Sequence, residues 1–337
     1  MTGESRDMAR PFKEIWRELA ASRDFFAVQG LPAPAPEATP EAYFAALGEE
    51  ALTETGCSRE ELSAHFARFL DALGRIDAAP PAVSSLAVRG GTDKRGRPET
   101  LDLTLVPGDV VALVGPTGSG KSRFLADVEW LADADTPTGR RVLLDGAPAD
   151  AARRLSLSGR LVAQLSQNMH FVMDMAVGPF LEAHAESRLL ADVAGAAVEV
   201  VALANELAGE PFDTATPLTA LSGGQSRALM IADVARLCAS PVVLVDEIEN
   251  AGIDRQRAIS LLTGSGKIVF VATHDPLLAL LATRRLVFSG GAVAHVIETS
   301  PAERQALEEL AALDAVLSRA REELRRGRTV AAPKETH

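Results

Sequence analysis

The sequence predicts an α/β fold, a parallel sheet covered by helices, with a helical extension before it and one helix after it. Three observations carry that expectation. Aliphatic runs of strand length, LDLTLVPGDVVALVG, RLVAQLSQ, PVVLVDE and KIVFVATHD, alternate with helical segments. A glycine-rich turn, GPTGSGKS at 115–122, joins one such run to a helix. The prolines of LPAPAPEATP at 31–40 interrupt regular structure well before the first run.

Residues 1–81 read as a helical extension cut by the linker at 31–40. Phe12, Ile15, Trp16 and Leu19 recur at helical spacing, and Ser58 with Glu61 forms a capping box before Leu62, Phe66, Phe69, Leu70 and Leu73. Gly74 is the expected stop of that helix. These stripes read as core, with a docking face for a partner as the alternative. From Leu86 the texture turns to strands and turns, and residues 82–298 read as one α/β domain. In the remainder, 299–337, Ser300, Pro301 and Glu303 start a last helix ahead of a disordered tail. Its Leu310, Leu313, Leu317, Ala320 and Leu324 step by three and four, giving a narrow seam that packs back on the domain or meets a second copy or a partner.

Composition narrows the function classes. A chain of 337 residues with 47 % hydrophobic content can bury a full core. Its longest apolar runs fall short of the ~20 residues that span a bilayer, and its charged N-terminus has no secretory apolar stretch. The expected location is the cytoplasm, peripheral to the inner face of the membrane if the partner lies there. A net charge of −12 excludes nonspecific coating of nucleic acid, so a nucleic-acid partner is the less favoured one. Lys94, Arg95 and Arg97, and the cluster Arg325, Arg326 and Arg328, are solvated surface or local patches for an acidic partner. Cys57 and Cys238 are isolated and suggest neither a disulfide nor a metal site.

GPTGSGKS satisfies G-x-x-x-x-G-K-[ST], the Walker A phosphate loop, in the strand-to-helix context the motif requires. Gly115, Gly118 and Gly120 let the backbone curl so that the N–H groups of the loop, with Pro116, Thr117 and Ser119 between them, point at phosphates. Lys121 adds positive charge at the β and γ phosphates, and Ser122 offers an oxygen to Mg²⁺. Downstream, VDEIENAGID at 245–254 places Asp246 at a strand end, where an acid reaches that Mg²⁺ directly or through water, the Walker B arrangement. Glu247 is then the candidate general base for a water aimed at the γ phosphate.

Between these sites lies LSGGQSRALMIADVARL at 221–237, and here the chain resembles the ATP-binding cassette (ABC) ATPases, whose signature is LSGGQ. The resemblance covers about two-thirds of the chain, with its motifs in the family's order. It implies a P-loop NTPase parallel-sheet core with an ABC-type helical subdomain. It also implies ATP and Mg²⁺ as ligands, ATP hydrolysis, and a head-to-tail homodimer in which each nucleotide is held between one copy's phosphate loop and the other's Ser222, Gly223, Gly224 and Gln225. Gln167 resembles the glutamine that senses Mg²⁺ and the attacking water, with Gln164, inside the strand, as runner-up. His274 resembles the switch histidine at the γ phosphate, and Asp254 the loop that communicates across the dimer.

Two departures stand out. Cassettes usually stack an aromatic residue on adenine ahead of the phosphate loop, but LAVRGGTDKRG has none, which leaves Val88 or Arg89 to cover the base by packing or cation–π contact. Ile248 replaces the proline common after the two acids in transport cassettes, a texture closer to soluble cassette ATPases of chromosome maintenance. The expected partner is a membrane permease or a soluble protein. The apolar loop MHFVMDMAVGPF either receives a membrane partner's helix or belongs to the core beneath the helical subdomain.

Overall fold

The computed structural model describes residues 8–77, 83–149, 154, 161–166, 171–188, 190, 192–246 and 252–330, and the chain divides into two units, Met1–Pro81 and Ala82–His337. The first unit holds helices α1 (Phe12–Glu18), α2 (Asp24–Val28), α3 (Pro40–Ala45), α4 (Glu49–Thr55) and α5 (Arg59–Asp77). Its core is aromatic: Phe12, Phe25, Phe26, Phe44 and Phe66 are buried, with neighbouring ring centroids 5.1–6.4 Å apart. The proline-rich stretch is part of this unit. Phe12 N–H donates to Ala38 O and Lys13 N–H to Pro36 O, while the Tyr43 hydroxyl donates to Pro32 O. Thr39 caps α3, with Pro40 at its first position. Ser58 and Glu61 form the reciprocal cap of α5 at 2.8 and 3.2 Å. That helix does not stop at Gly74 but continues to Asp77, because the buried face of Leu62, Phe66, Leu70 and Leu73 outweighs the ~1 kcal/mol that an interior glycine costs.

The second unit contains two sheets. β1 (Leu86–Arg89), β2 (Asp102–Leu105), β4 (Arg141–Leu144) and β5 (Ala147–Pro148) form an antiparallel sheet in the order β2-β1-β4-β5. β3 (Val110–Val114), β6 (Val162–Leu165), β7 (Val242–Asp246), β8 (Ile268–Ala272), β9 (Arg284–Ser289) and β10 (Ala292–Glu298) form the other, ordered β10-β9-β3-β8-β7-β6 and parallel except for β10. The run LDLTLVPGDVVALVG is therefore two strands in different sheets, separated by the turn around Pro107 and Gly108. β2 alternates, with Leu103 and Leu105 buried between exposed Asp102 and Thr104, whereas β3 is buried on both faces.

That double burial follows from what covers the parallel sheet. Val110 and Ala112, Val243 and Val245, and Val269 and Val271 face one apolar cluster, shared with α7 (Val177–Ser187), α8 (Val193–Leu207), α9 (Gly223–Arg236) and α10 (Arg255–Gly264). Val111, Leu113, Leu244 and Phe270 face the other, shared with α6 (Lys121–Glu129) and the antiparallel sheet. α11 (Pro276–Leu281) packs against α12 (Pro301–Arg325), which the Ser300 and Glu303 capping pair begins. On α12 the seam is covered in part: Leu310 and Ala320 are half-buried, whereas Leu313, Leu317 and Leu324 are exposed. Among the described residues no helix is long and apolar enough to cross a membrane.

Candidate functional site

The carboxyl ends of four parallel strands form one row. Asp246 of β7 pairs with Ala272 of β8, Ala272 with Leu113 of β3, and Val245 with Leu165 of β6. From this edge leave the glycine-rich turn after β3, the acidic stretch after β7 and the Thr273-His274-Asp275 turn after β8, the place where open α/β sheets bind ligands.

The turn after β3 needs its glycine. Gly115 has φ +144°, and a Cβ there would stand 2.7 Å from Phe288 O and 3.0 Å from the Ser119 hydroxyl. Lys121, only 8 % exposed, is the first residue of α6, and its Nζ donates to Gly115 O at 2.6 Å and Pro116 O at 3.3 Å. The ammonium is thus folded back over the turn. The first N–H groups of α6 have no intrahelical partner and add the positive helix end to it. Ser119 Oγ is buried with no hydrogen-bond partner among the described residues, and Thr117, Gly118 and Ser122 are exposed at the open side.

His274 is exposed and shares a cavity of about 240 Å³ with Val114, Gly115, Pro116, Thr273, Asp275, Pro276 and Ala279. Its neighbours hold the turn still. Thr273 N–H donates to Leu113 O at 3.2 Å, Asp275 N–H to Thr273 Oγ1 at 2.9 Å, and Leu277 N–H to Asp275 Oδ1 at 2.8 Å. The Asp275 carboxylate also pairs with Arg255, whose other nitrogen donates to Asp314 of α12 at 2.8 Å. A larger groove of about 420 Å³ lies along the exposed edge strand β10 with Thr100. His295 is its sole titratable lining residue, so it lacks the convergent charges that phosphate chemistry needs.

Ser222 caps α9 in a full capping box: Gln225 N–H donates to Ser222 Oγ at 3.3 Å and Ser222 N–H to Gln225 Oε1 at 2.8 Å. Gly223 and Gly224 open the helix. The loop leading to α10 lies against this turn, since a Cβ at Gly252 would come 3.9 Å from Gly224 Cα. Asp254 caps α10 by accepting from Arg257 N–H at 3.0 Å, and its own N–H donates to Leu207 O.

The donor set suits a hard cation. Asp246 is half-buried at a strand end and Ser122 carries an exposed hydroxyl, so these two described residues offer oxygens. Among the described residues no group of three or more His, Cys, Asp or Glu side chains could hold a metal alone. Mg²⁺ is commonly bound through one or two carboxylates with substrate phosphates supplying further oxygens, a role that the oxygens of Asp246 and Ser122 suit.

The structure therefore brings the phosphate loop, Asp246 and His274 to one sheet edge, and puts Ser222, Gly223, Gly224 and Gln225 at the start of a separate helix. Gln167 and Glu247 lie outside the described residues. Gln164 is inside β6, paired with Leu244. Val88 is not exposed to cover a base, and Arg89 is held by other partners. Val88 is wholly buried in the core between the sheets, and the Arg89 guanidinium is drawn along the strand pair to Asp102 and Leu103 O. The apolar loop after β6 divides: Phe171 and Met175 pack against the core, while Val172 and Met173 are 91 % and 45 % exposed. Sequence reasoning missed the tie from Arg255 to Asp275 and Asp314, which no local pattern announces.

Residues 98–250 match the ABC transporter family model. The chain is 46 % identical over 246 residues to an uncharacterised ABC transporter ATP-binding protein of Methanocaldococcus jannaschii, covering 73 % of this chain and 94 % of that one. It is 30 % identical over 216 residues to the lipoprotein-releasing system ATP-binding protein of Shewanella frigidimarina, covering 60 % and 85 %. Among solved structures, cbiO1 of Clostridium perfringens, part of an ABC transporter complex, matches 72 % of this chain and 96 % of its own, at 20 % identity with a TM-score of 0.48.

Proposed function

Since the chain belongs to the ABC family of ATP-binding proteins and is an ATP hydrolase, we propose that it works as the ATP-binding subunit of a membrane transporter, through the site at the carboxyl edge of its parallel sheet. The observation that carries the site is the register row from Leu113 through Ala272 to Asp246, which sets phosphate loop, acid and histidine on one edge. Residues 115–122 cradle the phosphates, and Lys121 exchanges carbonyl oxygens for phosphate oxygens, which are stronger acceptors because they are charged. Ser122 and Asp246, with Gln167 in support, would hold Mg²⁺, which would supply charge neutralisation for the phosphates. Glu247 takes the proton of the attacking water. His274 donates to the γ phosphate from a turn whose position its neighbours fix.

The signature supplies the second half of the site from another copy. Ser222 to Gln225 do not line the cavity beside the phosphate loop, which supports a homodimer in which they cover the partner's nucleotide. The membrane partner is a permease, received where Val172 and Met173 stand exposed beside the core, with the subunit peripheral on the cytoplasmic face.

A second reading, a soluble ATPase that remodels or loads a protein or nucleic-acid partner, is favoured by one observation: Met1–Pro81 is a unit with its own aromatic core. A pull-down of the Glu247→Gln protein with ATP, read by mass spectrometry in membrane and soluble fractions, separates the two. Recovery of an integral membrane protein supports the transporter, and recovery of soluble proteins alone overturns it. In the same preparations Glu247→Gln should bind ATP without turnover and Lys121→Ala should lose binding. Wild-type turnover in the first, or wild-type affinity in the second, contradicts the site.

A further inference from the structure

The turn between β1 and β2 delivers a second ammonium to the phosphate loop. Lys94 Nζ donates to Gly118 O at 2.8 Å, on the same turn whose Gly115 and Pro116 carbonyls accept from Lys121. The two lysines therefore converge on residues 115–118 from different elements. Among the described residues neither forms an ion pair with a carboxylate, in a chain that carries 46 acids against 34 bases.

The placement of Lys94 is built, not incidental. Asp93 Oδ1 accepts from Arg95 N–H at 2.8 Å and Arg97 N–H at 2.9 Å, and its Oδ2 accepts from Arg97 Nε at 2.7 Å, which closes the turn on itself. Those bonds, the Arg97 backbone bond first among them, hold the Asp93 carboxyl below its ordinary range, so it stays charged. Lys94 N–H donates to Gly290 O at 3.1 Å, and Thr92 N–H to Thr138 O at 2.7 Å. The stem of Lys94 lies on Gly291, where a Cβ would stand 2.6 Å from Lys94 Cγ. Gly291 N–H in turn donates to Ser119 O at 2.9 Å, so the hairpin that carries the stem is bonded to the phosphate loop itself. Lys94 remains exposed, and nothing stands within 4 Å of a Cβ placed on Gly118. Its ammonium thus has open approach to whatever the loop holds.

We propose that Lys94 is a second phosphate-binding lysine, which contacts the phosphate chain of the bound nucleoside triphosphate from the hairpin side. This rests on the phosphate-loop reading of residues 115–122. A phosphate oxygen outcompetes the Gly118 carbonyl for the ammonium because a charged acceptor makes the stronger bond. The contact falls on phosphate and not on the base, so it raises affinity for ATP and GTP alike.

The test is calorimetric titration of MgATP and MgGTP into the full-length wild-type, Lys94→Met, Lys94→Arg and Lys121→Ala proteins at two salt concentrations. Lys94→Met should weaken both nucleotides about tenfold and flatten the salt dependence, while Lys94→Arg keeps wild-type values. Wild-type affinity in Lys94→Met together with lost binding in Lys121→Ala overturns this inference alone and leaves Lys94 as a structural pin. A loss in Lys94→Met that falls on one nucleotide only, or that Lys94→Arg shares, also overturns it. Unchanged binding in Lys121→Ala overturns the phosphate-loop reading itself.

Discussion

Arg140 is fully buried, as are the two carboxylates it serves. Its Nε and Nη2 donate to Glu99 at 2.7 and 2.9 Å, its Nη1 to Asp127 at 2.9 Å, and its guanidinium lies 5.3 Å from the Phe124 ring centroid. Glu99 also accepts from Val293 N–H, and Arg140 Nη2 donates to Gly291 O, so one arginine ties the β1–β2 loop, the phosphate-loop helix and the β9–β10 hairpin together. Removing it strands two buried carboxylates. Arg140→Met should therefore cost about 3–5 kcal/mol in urea unfolding, and a loss under about 1 kcal/mol contradicts the network. Burial pushes the Glu99 carboxyl up, but the Arg140 and Val293 hydrogen bonds bring it below its ordinary 4.5. A carboxyl lowered by folding stabilises above the unfolded value and loses that contribution as pH falls through the folded one. Unfolding free energy should thus drop below about pH 4.5 in the wild type and less steeply in Glu99→Gln. Nothing in the sequence pointed to these residues, because Glu99 and Arg140 stand 41 positions apart in unrelated stretches. The places of Lys121 at a helix start and Asp246 at a strand end were legible because motif spacing fixes them.

At the scale of elements, Arg255 is the joint to examine. It stands at the start of α10, after the loop from β7, pairs with Asp275 beside His274, and reaches Asp314 on α12. The turn carrying the histidine is thereby tied to the C-terminal helix. Arg255→Ala should lower kcat about tenfold with little change in KM for ATP, since it loosens positioning and touches no substrate. An unchanged kcat, or a loss confined to KM, contradicts that role. Strands β3, β7 and β8 were legible as aliphatic runs, since burial on both faces leaves a continuous signature. β4 and β5 are short, and β9 and β10 carry charged or exposed residues, so their pattern is faint. Gly74 misled because a local propensity of ~1 kcal/mol yields to a buried helical face.

For the whole molecule, the sequence reading placed the phosphate loop, acidic strand and signature in order along one chain, but how two copies use them is a matter of assembly. The aromatic unit before the cassette was readable as helices with core-forming stripes, but its proline segment was not readable as part of that body, because it looks like a linker until its carbonyls are seen accepting from Phe12 and Lys13. In the proposed working state the site closes between two copies around ATP, with Glu247 as base. Its most direct test is sedimentation of the Glu247→Gln protein with saturating MgATP against MgADP. A dimer with ATP and a monomer with ADP is the predicted result, and a monomer under both conditions would contradict it.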